Sequence, residues 1–187
     1  MLRVILNGAK PEKVFISDSA ALDLQGESDK KDAIYMAGAK DAAGFIECIK
    51  DAVAARNDAY SKAKGNPRPR EYFRTLPPML LLIDDTDYFA AALSGAGADR
   101  EAKDTMTAFQ DVGGSIIACA KASGFSGYGV IIDVIKSAQK GIVLDDPSDQ
   151  RLLPLPYGYG RNIKGQIGIG YLIGGDMPVR FGIPSMA

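Results

Sequence analysis

The sequence predicts an α/β domain, with a mostly parallel β-sheet covered by helices on both faces in three layers and closed by a C-terminal β-hairpin. Three observations point there. Short apolar strands alternate with helical stretches along most of the chain, the pattern of a wound, parallel sheet. The run Met79-Leu80-Leu81-Leu82-Ile83 is continuously apolar, as a strand covered on both faces must be, and it ends on two acids, Asp84-Asp85. Near the C-terminus, Gly165 to Ile173 and Val179 to Phe181 read as strands joined by the turn residues Gly174-Gly175-Asp176.

The elements follow in order. Leu2, Val4, Ile5 and Leu6 before Asn7-Gly8 read as the last turns of a helix with a glycine cap. Val14-Phe15-Ile16 is a short strand ending at Ser17-Asp18-Ser19, and Ala33 to Ala37 is a second short strand. From Lys40 to Lys64, Ala42, Phe45, Ile49, Ala52, Val53 and Ala59 recur at helical spacing, giving a long amphipathic helix. Lys64 to Pro78, punctuated by Gly65, Pro67, Pro69, Pro77 and Pro78, is expected to be a loop. After the Met79–Ile83 strand come helices near Tyr88 to Leu93 and Arg100 to Gln110, then a buried strand at Ser115 to Cys119. Val130 to Ile135 is expected in a helix, and Ile142-Val143-Leu144 is the next strand.

Bulk composition narrows the function. A chain of 187 residues, 47% hydrophobic and 24% charged, supports one well-buried core. Lysine and arginine total 22 against 23 acids, so no overall charge calls for a polyanion. The longest apolar stretches are about six residues, far short of the ~20 that cross a bilayer, and no cleavable leader is recognisable. Cys48 and Cys119 read as free buried thiols of a reducing compartment. Histidine is absent, which removes Ser-His-Asp and Cys-His catalysis and histidine-ligated zinc.

The acids after the central strand carry the most specific chemistry. A carboxylate at the C-terminal end of a central parallel strand faces the nucleotide crevice, where it holds magnesium through water, and the next acid orients the attacking water. Asp84 takes the first role in this reading and Asp85 the second. The competing reading makes Asp84, Asp85, Thr86 and Asp87 caps of the following helix. A phosphate-cradling Gly-x-x-x-x-Gly-Lys-Ser/Thr is not found at any glycine of the chain.

Taken in order, these segments resemble the FtsK/SpoIIIE family of P-loop ATPases, and within it the C-terminal, third ATPase domain of type VII secretion motors of the EssC type. The likeness runs through Glu12-Lys13-Val14-Phe15-Ile16-Ser17-Asp18-Ser19, Leu76 to Asp85, Gly114-Ser115-Ile116-Ile117-Ala118-Cys119-Ala120-Lys121, and Asp146 to Leu153 with the glycine-rich hairpin and Pro178-Val179-Arg180-Phe181. It implies a P-loop NTPase-like fold of RecA/AAA type over residues 1–187 as one domain, lacking the first strand and the phosphate loop. The family alignment places Met1 to Leu6 in the helix just after the P-loop lysine, so the domain is expected to be truncated at its N-terminus. Mg-ATP is the cofactor of an intact domain of this kind, held on the magnesium side by Asp84, and this chain alone is expected to hold none.

The departures shape the functional expectation. Where active members end the sensor strand with Ala-Thr-Gln, this chain has Cys119-Ala120-Lys121, without the amide that holds the attacking water. Lys121 is either a phosphate contact or a solvated strand-end lysine. Arg151 either reaches a neighbouring subunit's nucleotide or pairs with Asp145 or Asp149. By resemblance, the chain belongs on the cytoplasmic side of a bacterial membrane, in a membrane-anchored and hexameric motor whose other domains and copies are its partners. Such domains recognise small helical-hairpin proteins of the WXG100 (Esx) type through an apolar pocket, and little or no ATP hydrolysis is expected of this chain. The alternative is a competent ATPase or DNA-translocase module. The basic stretch Lys62, Lys64, Arg68, Arg70 and Arg74 is interrupted by prolines and Glu71 and reads as a solvated loop, so DNA is not the expected partner.

Overall fold

A computed structural model describes residues 10–18, 24–26, 33–65, 67–119, 130–138, 140–144, 153, 169–174 and 177–182. The chain divides into two compact units, Met1–Ala120 and Lys121–Ala187. The expected helix at Met1 to Leu6, the residues Lys121 and Arg151, and the start of the hairpin at Gly165 to Gly168 lie outside the described residues.

In the first unit, strands β1 (Lys13–Ser17), β2 (Ile34–Met36), β3 (Met79–Ile83) and β4 (Gly114–Ala118) form a parallel sheet of order β2-β1-β3-β4. The crossover from β2 to β3 carries helix α1 (Ala42–Ser61), and that from β3 to β4 carries α3 (Thr86–Gly95) and α4 (Asp99–Asp111). Every side chain of β3 is buried, as its unbroken apolar run requires. β4 differs from expectation: Ser115 is exposed and Ile116, Ile117 and Ala118 are half-buried, because the strand lies at an edge of the sheet.

Alternation along the strands sorts the core into two faces. Phe15, Leu81 and Ile83 point to one face, where the Phe15 ring meets Phe45 at 6.2 Å and Phe109 at 5.9 Å, both edge-on. Phe45 in turn meets Phe89 at 6.2 Å. One aromatic chain therefore joins the sheet to α1, α3 and α4, each ring pair adding about 0.5–1.5 kcal/mol beyond its buried area. Val14, Ile16 and Leu82 point to the other face and pack with Leu24, Tyr35, Ile117 and Cys119.

The buried stripe of α1 runs through Phe45, Ile49, Ala52 and Val53 to Arg56, which is only 4% exposed. Its guanidinium donates to the Val112 carbonyl (2.8 Å), to Glu12 (2.7 Å) and to the Pro77 carbonyl. These groups stand just before β4, β1 and β3, so one buried cation ties the starts of three strands. Gly113 sits against this arrangement at φ +84°, a conformation that suits glycine, and an added Cβ would come within 3.1 Å of the Phe73 carbonyl oxygen.

The expected loop from Lys64 to Pro78 contains a short helix, α2 (Pro69–Thr75). Pro69 stands in its first turn, where a missing N–H costs nothing, with Glu71 near the start and Arg74 near the end. Proline read as punctuation was here a helix opener.

In the second unit, α5 (Val130–Lys136) precedes a three-stranded antiparallel sheet of β5 (Gly141–Val143), β6 (Ile169–Ile173) and β7 (Val179–Gly182). The C-terminal hairpin is formed as expected. The Ile142 segment does not extend the parallel sheet; it pairs antiparallel with β6, the partner its register reaches across Gly141↔Ile173 and Val143↔Tyr171.

Candidate functional site

The acids singled out in the sequence sit where the strand register delivers them. Ser17, Ile83 and Ala118 are paired across β1, β3 and β4. The next step is fixed by two backbone hydrogen bonds, Asp84 N–H to the Ser17 carbonyl (2.9 Å) and Cys119 N–H to the Ile83 carbonyl (2.8 Å). Asp18, Asp84 and Cys119 thus stand side by side beyond the C-terminal ends of three parallel strands. Alternation turns them toward the face that holds Ile16, Leu82 and Tyr35.

The three residues meet different surroundings. Asp18 is fully buried, and its Oδ2 accepts from the Leu24 N–H (2.7 Å) and the Tyr35 hydroxyl (2.6 Å). Asp84 is half-buried. The Tyr35 hydroxyl is pushed well above its ordinary value, first by burial, then by its hydrogen bond to Asp18 and the charges of Asp18 and Asp84. Burial and the Asp84 carboxylate likewise push the Cys119 thiol up. At neutral pH both groups keep their protons, so neither is a nucleophile and both present neutral walls beside the acids.

Asp85 faces the helix instead. It is the N-cap of α3, and its carboxylate accepts the Tyr88 N–H at 3.0 Å. Thr86, 1% exposed, fastens the same turn to β4: its N–H (3.1 Å) and hydroxyl (2.9 Å) both donate to the Cys119 carbonyl. The helix start, the end of β3 and the end of β4 are therefore one hydrogen-bonded corner, with Asp84 on it.

The donor set suits a hard cation in one respect. A half-buried carboxylate at the end of a central strand is an oxygen ligand of the kind magnesium takes through water. Among the described residues no group of three or more acids or thiols is placed to hold a metal unaided. The chain also has no Gly-x-x-x-x-Gly-Lys-Ser/Thr to cradle phosphates. Asp84 would supply the magnesium side of a nucleotide site, and no hydrolytic step follows from these residues.

Asp18 and Tyr35 were not read as site residues from the sequence. The signal was present, since Val14-Phe15-Ile16-Ser17-Asp18 repeats the apolar-then-acid pattern of the Asp84 strand. The basic stretch is partly neutralised: Lys62 pairs with Asp58 at 2.5 Å and Arg68 approaches Glu71 at 3.9 Å, all exposed. Its aromatics pack on one another, Tyr60 against Tyr72 (5.2 Å) and Phe73 (5.4 Å), rather than standing free to stack on bases.

A parallel sheet of this order, with an acid at the C-terminal end of its fully buried strand, defines a P-loop NTPase-like α/β fold. Among solved structures, the chain is similar to ATPases 2 and 3 of EssC from Geobacillus thermodenitrificans, with a TM-score of 0.79 and 19% identity, covering 98% of this chain and 34% of that one. It is similar to the cytoplasmic domain of EssC, with a TM-score of 0.75 and 18% identity, covering 96% of this chain and 35% of the other. It is also similar to ATPases 2 and 3 of Thermomonospora curvata EccC in complex with a signal sequence peptide, with a TM-score of 0.62 and 21% identity, covering 91% and 31%. The chain spans about a third of the length of these structures, and at such identity the likeness is one of fold. No family model matches the sequence, and no curated protein is detectably similar to it.

Proposed function

We propose that this chain is a single FtsK/SpoIIIE-type ATPase domain of a type VII secretion motor, acting on the cytoplasmic side of a bacterial membrane. The observation that carries the reading is the fold match over 98% of the chain to an EssC ATPase pair. The ordered sequence segments set out above add support. Its work is to receive segments of exported WXG100-type helical-hairpin proteins and to contribute to a motor built with other domains and copies. A similar structure of EccC carries a signal sequence peptide, which favours the recognition role. Hydrolysis by this chain alone is little or none, because Cys119-Ala120-Lys121 lacks the water-holding amide and Asp85 is engaged as a helix cap. Lys121 and Arg151 keep their proposed places near nucleotide, the second in an intersubunit contact. No helix among the described residues is long and apolar enough to cross a membrane; we propose that other parts of the motor supply the attachment.

Isothermal titration and co-elution with a helical-hairpin secretion partner test the reading. Heat release and a raised melting temperature are expected, since a ligand of the native state stabilises it by mass action. No heat, no shift and no co-elution would overturn the recognition role.

The position of Asp84 favours one second reading, a competent ATPase. Joined to a phosphate loop, the domain would bind Mg-ATP in a manner lost on Asp84→Ala. Equal binding by the variant would remove Asp84 from the site.

A further inference from the structure

Charge in the first unit is sorted along its strands. At the strand starts, Lys10, Lys13, Lys64, Arg70 and Arg74 are all exposed, and none of the five is in an ion pair among the described residues. The fold gathers them from separate parts of the sequence. The Glu12 N–H donates to the Pro78 carbonyl (2.8 Å), which sets Lys10 and Lys13 beside the segment leading from α2 into β3. On α2, Arg70 and Arg74 stand one turn apart, and the buried Phe73 seats the helix against Gly113, just before β4. The acids of this end are mostly neutralised. Glu12 faces Arg56 (2.7 Å), Asp58 faces Lys62 (2.5 Å) and Glu71 lies 3.9 Å from Arg68. Asp111, at the end of α4, is the acid left over there among the described residues, so five unpaired cations outweigh it.

The opposite end reverses the sign. Asp18, Asp84, Asp85 and Asp87 stand beyond the strand ends or in the first turn of α3. Strands of five residues separate the two ends by about 17 Å, roughly twice the ~8 Å screening length at physiological ionic strength. The acids therefore do not cancel the field at the strand starts. On α4, by contrast, Arg100 and Lys103 alternate with Asp99, Glu101 and Asp104, and their charges offset locally.

What surrounds the five cations selects the occupant. No large hydrophobic side chain is exposed in the first unit among the described residues, so a folded protein partner finds no apolar anchor there. Tyr60 packs on Tyr72 and Phe73, and its hydroxyl donates to the Pro67 carbonyl (2.8 Å), so these rings are not open to bases. What remains is positive charge spread over one end, which a layer of anionic headgroups recognises without groove or anchor. The acids at the far end set the direction, because the same layer repels them. We infer that the strand-start end of the first unit docks on an anionic lipid surface, with Asp84 turned away from the lipid. The inference rests on the reading that this chain works at the cytoplasmic side of a bacterial membrane, and it adds which end of the domain meets that membrane.

The test sediments the 187-residue chain with vesicles of equal parts phosphatidylglycerol and phosphatidylcholine, and with vesicles of phosphatidylcholine alone. Binding to the mixed vesicles alone, lost as salt is raised, is expected. Each basic residue at such a surface strengthens partitioning about five-fold, so Arg70→Glu combined with Arg74→Glu should weaken it at least about twenty-five-fold. Arg100→Glu combined with Lys103→Glu changes the net charge equally and should leave most of the binding. Lys10→Glu with Lys13→Glu repeats the test if the α2 variant melts early. Absence of binding to the mixed vesicles overturns the inference, and equal losses in the α2 and α4 variants overturn the placement. A duplex DNA fragment held more tightly than the vesicles, through the same arginines, overturns the occupant. Failure of the secretion reading shows separately, in the helical-hairpin titration described above; a chain that binds the hairpin partner and not the vesicles keeps that reading and loses this surface.

Discussion

The Tyr35 hydroxyl donates a 2.6 Å hydrogen bond to the buried carboxylate of Asp18, one strand over from Asp84. A buried carboxyl group needs such donors, and Asp18 has another in the Leu24 N–H. Tyr35→Phe takes one donor away and should lower stability by about 1–3 kcal/mol, the usual cost at a charged acceptor. Urea unfolding at neutral pH measures it.

The same tyrosine gives a pH signature. Its folded-state value lies above the ordinary phenol value near 10, so the native state holds the proton more tightly than the unfolded chain. The associated stability is complete below about pH 10 and is lost as pH rises through the raised value. Unfolding curves collected from pH 9 upward should fall more steeply for the wild type than for Tyr35→Phe. Parallel curves would place the alkaline loss elsewhere.

Asp84 and Cys119 are coupled through charge. Burial first, and then the neighbouring carboxylate, hold the thiol up. Asp84→Asn removes the second influence, so the thiolate fraction at fixed pH rises and alkylation of Cys119 by iodoacetamide speeds up. Mass spectrometry resolves Cys119 from Cys48, which serves as the internal control. An unchanged rate at Cys119 would mean that the Asp84 charge does not reach it.

Asp85 is expected to behave as a cap in this chain. Asp85→Ala should cost about 1 kcal/mol, and Asp85→Asn, which keeps an acceptor for the Tyr88 N–H, a few tenths at most. Chemical denaturation of both variants distinguishes the cap from a group whose charge is what matters, for which the two would lose alike.

Arg56→Ala should be among the most damaging single changes. It leaves the Val112 and Pro77 carbonyls without their donor and Glu12 without its cation, at about 2–4 kcal/mol. Glu12 is partly exposed and can rehydrate, which keeps the cost below that of a fully buried pair. A change in urea midpoint with an unchanged slope would identify lost stability rather than a different unfolded state.

Periodicity made the parallel sheet and its long helix legible, because burial on both faces leaves β3 no polar residue and α1 a clear apolar stripe. Asp84 was legible for the same reason, as the first polar residue after such a run. Asp18 follows a shorter run and reads in the sequence only as the end of a strand, and its role emerges only when Tyr35 is brought across from β2. Arg56 was invisible for a physical reason: an arginine on a helix is ordinarily solvated, and its burial depends on carbonyls from segments 21 and 56 residues away.

The Arg56 guanidinium has a mechanical meaning as well. A pull along α1 reaches β1, β3 and β4 together, through Glu12, Pro77 and Val112, rather than loading one strand in turn. The helix cannot swivel on the sheet without all three contacts letting go at once. Helix and strands are thereby joined at one end of the sheet, with Asp18 and Asp84 at the opposite, C-terminal ends of the strands.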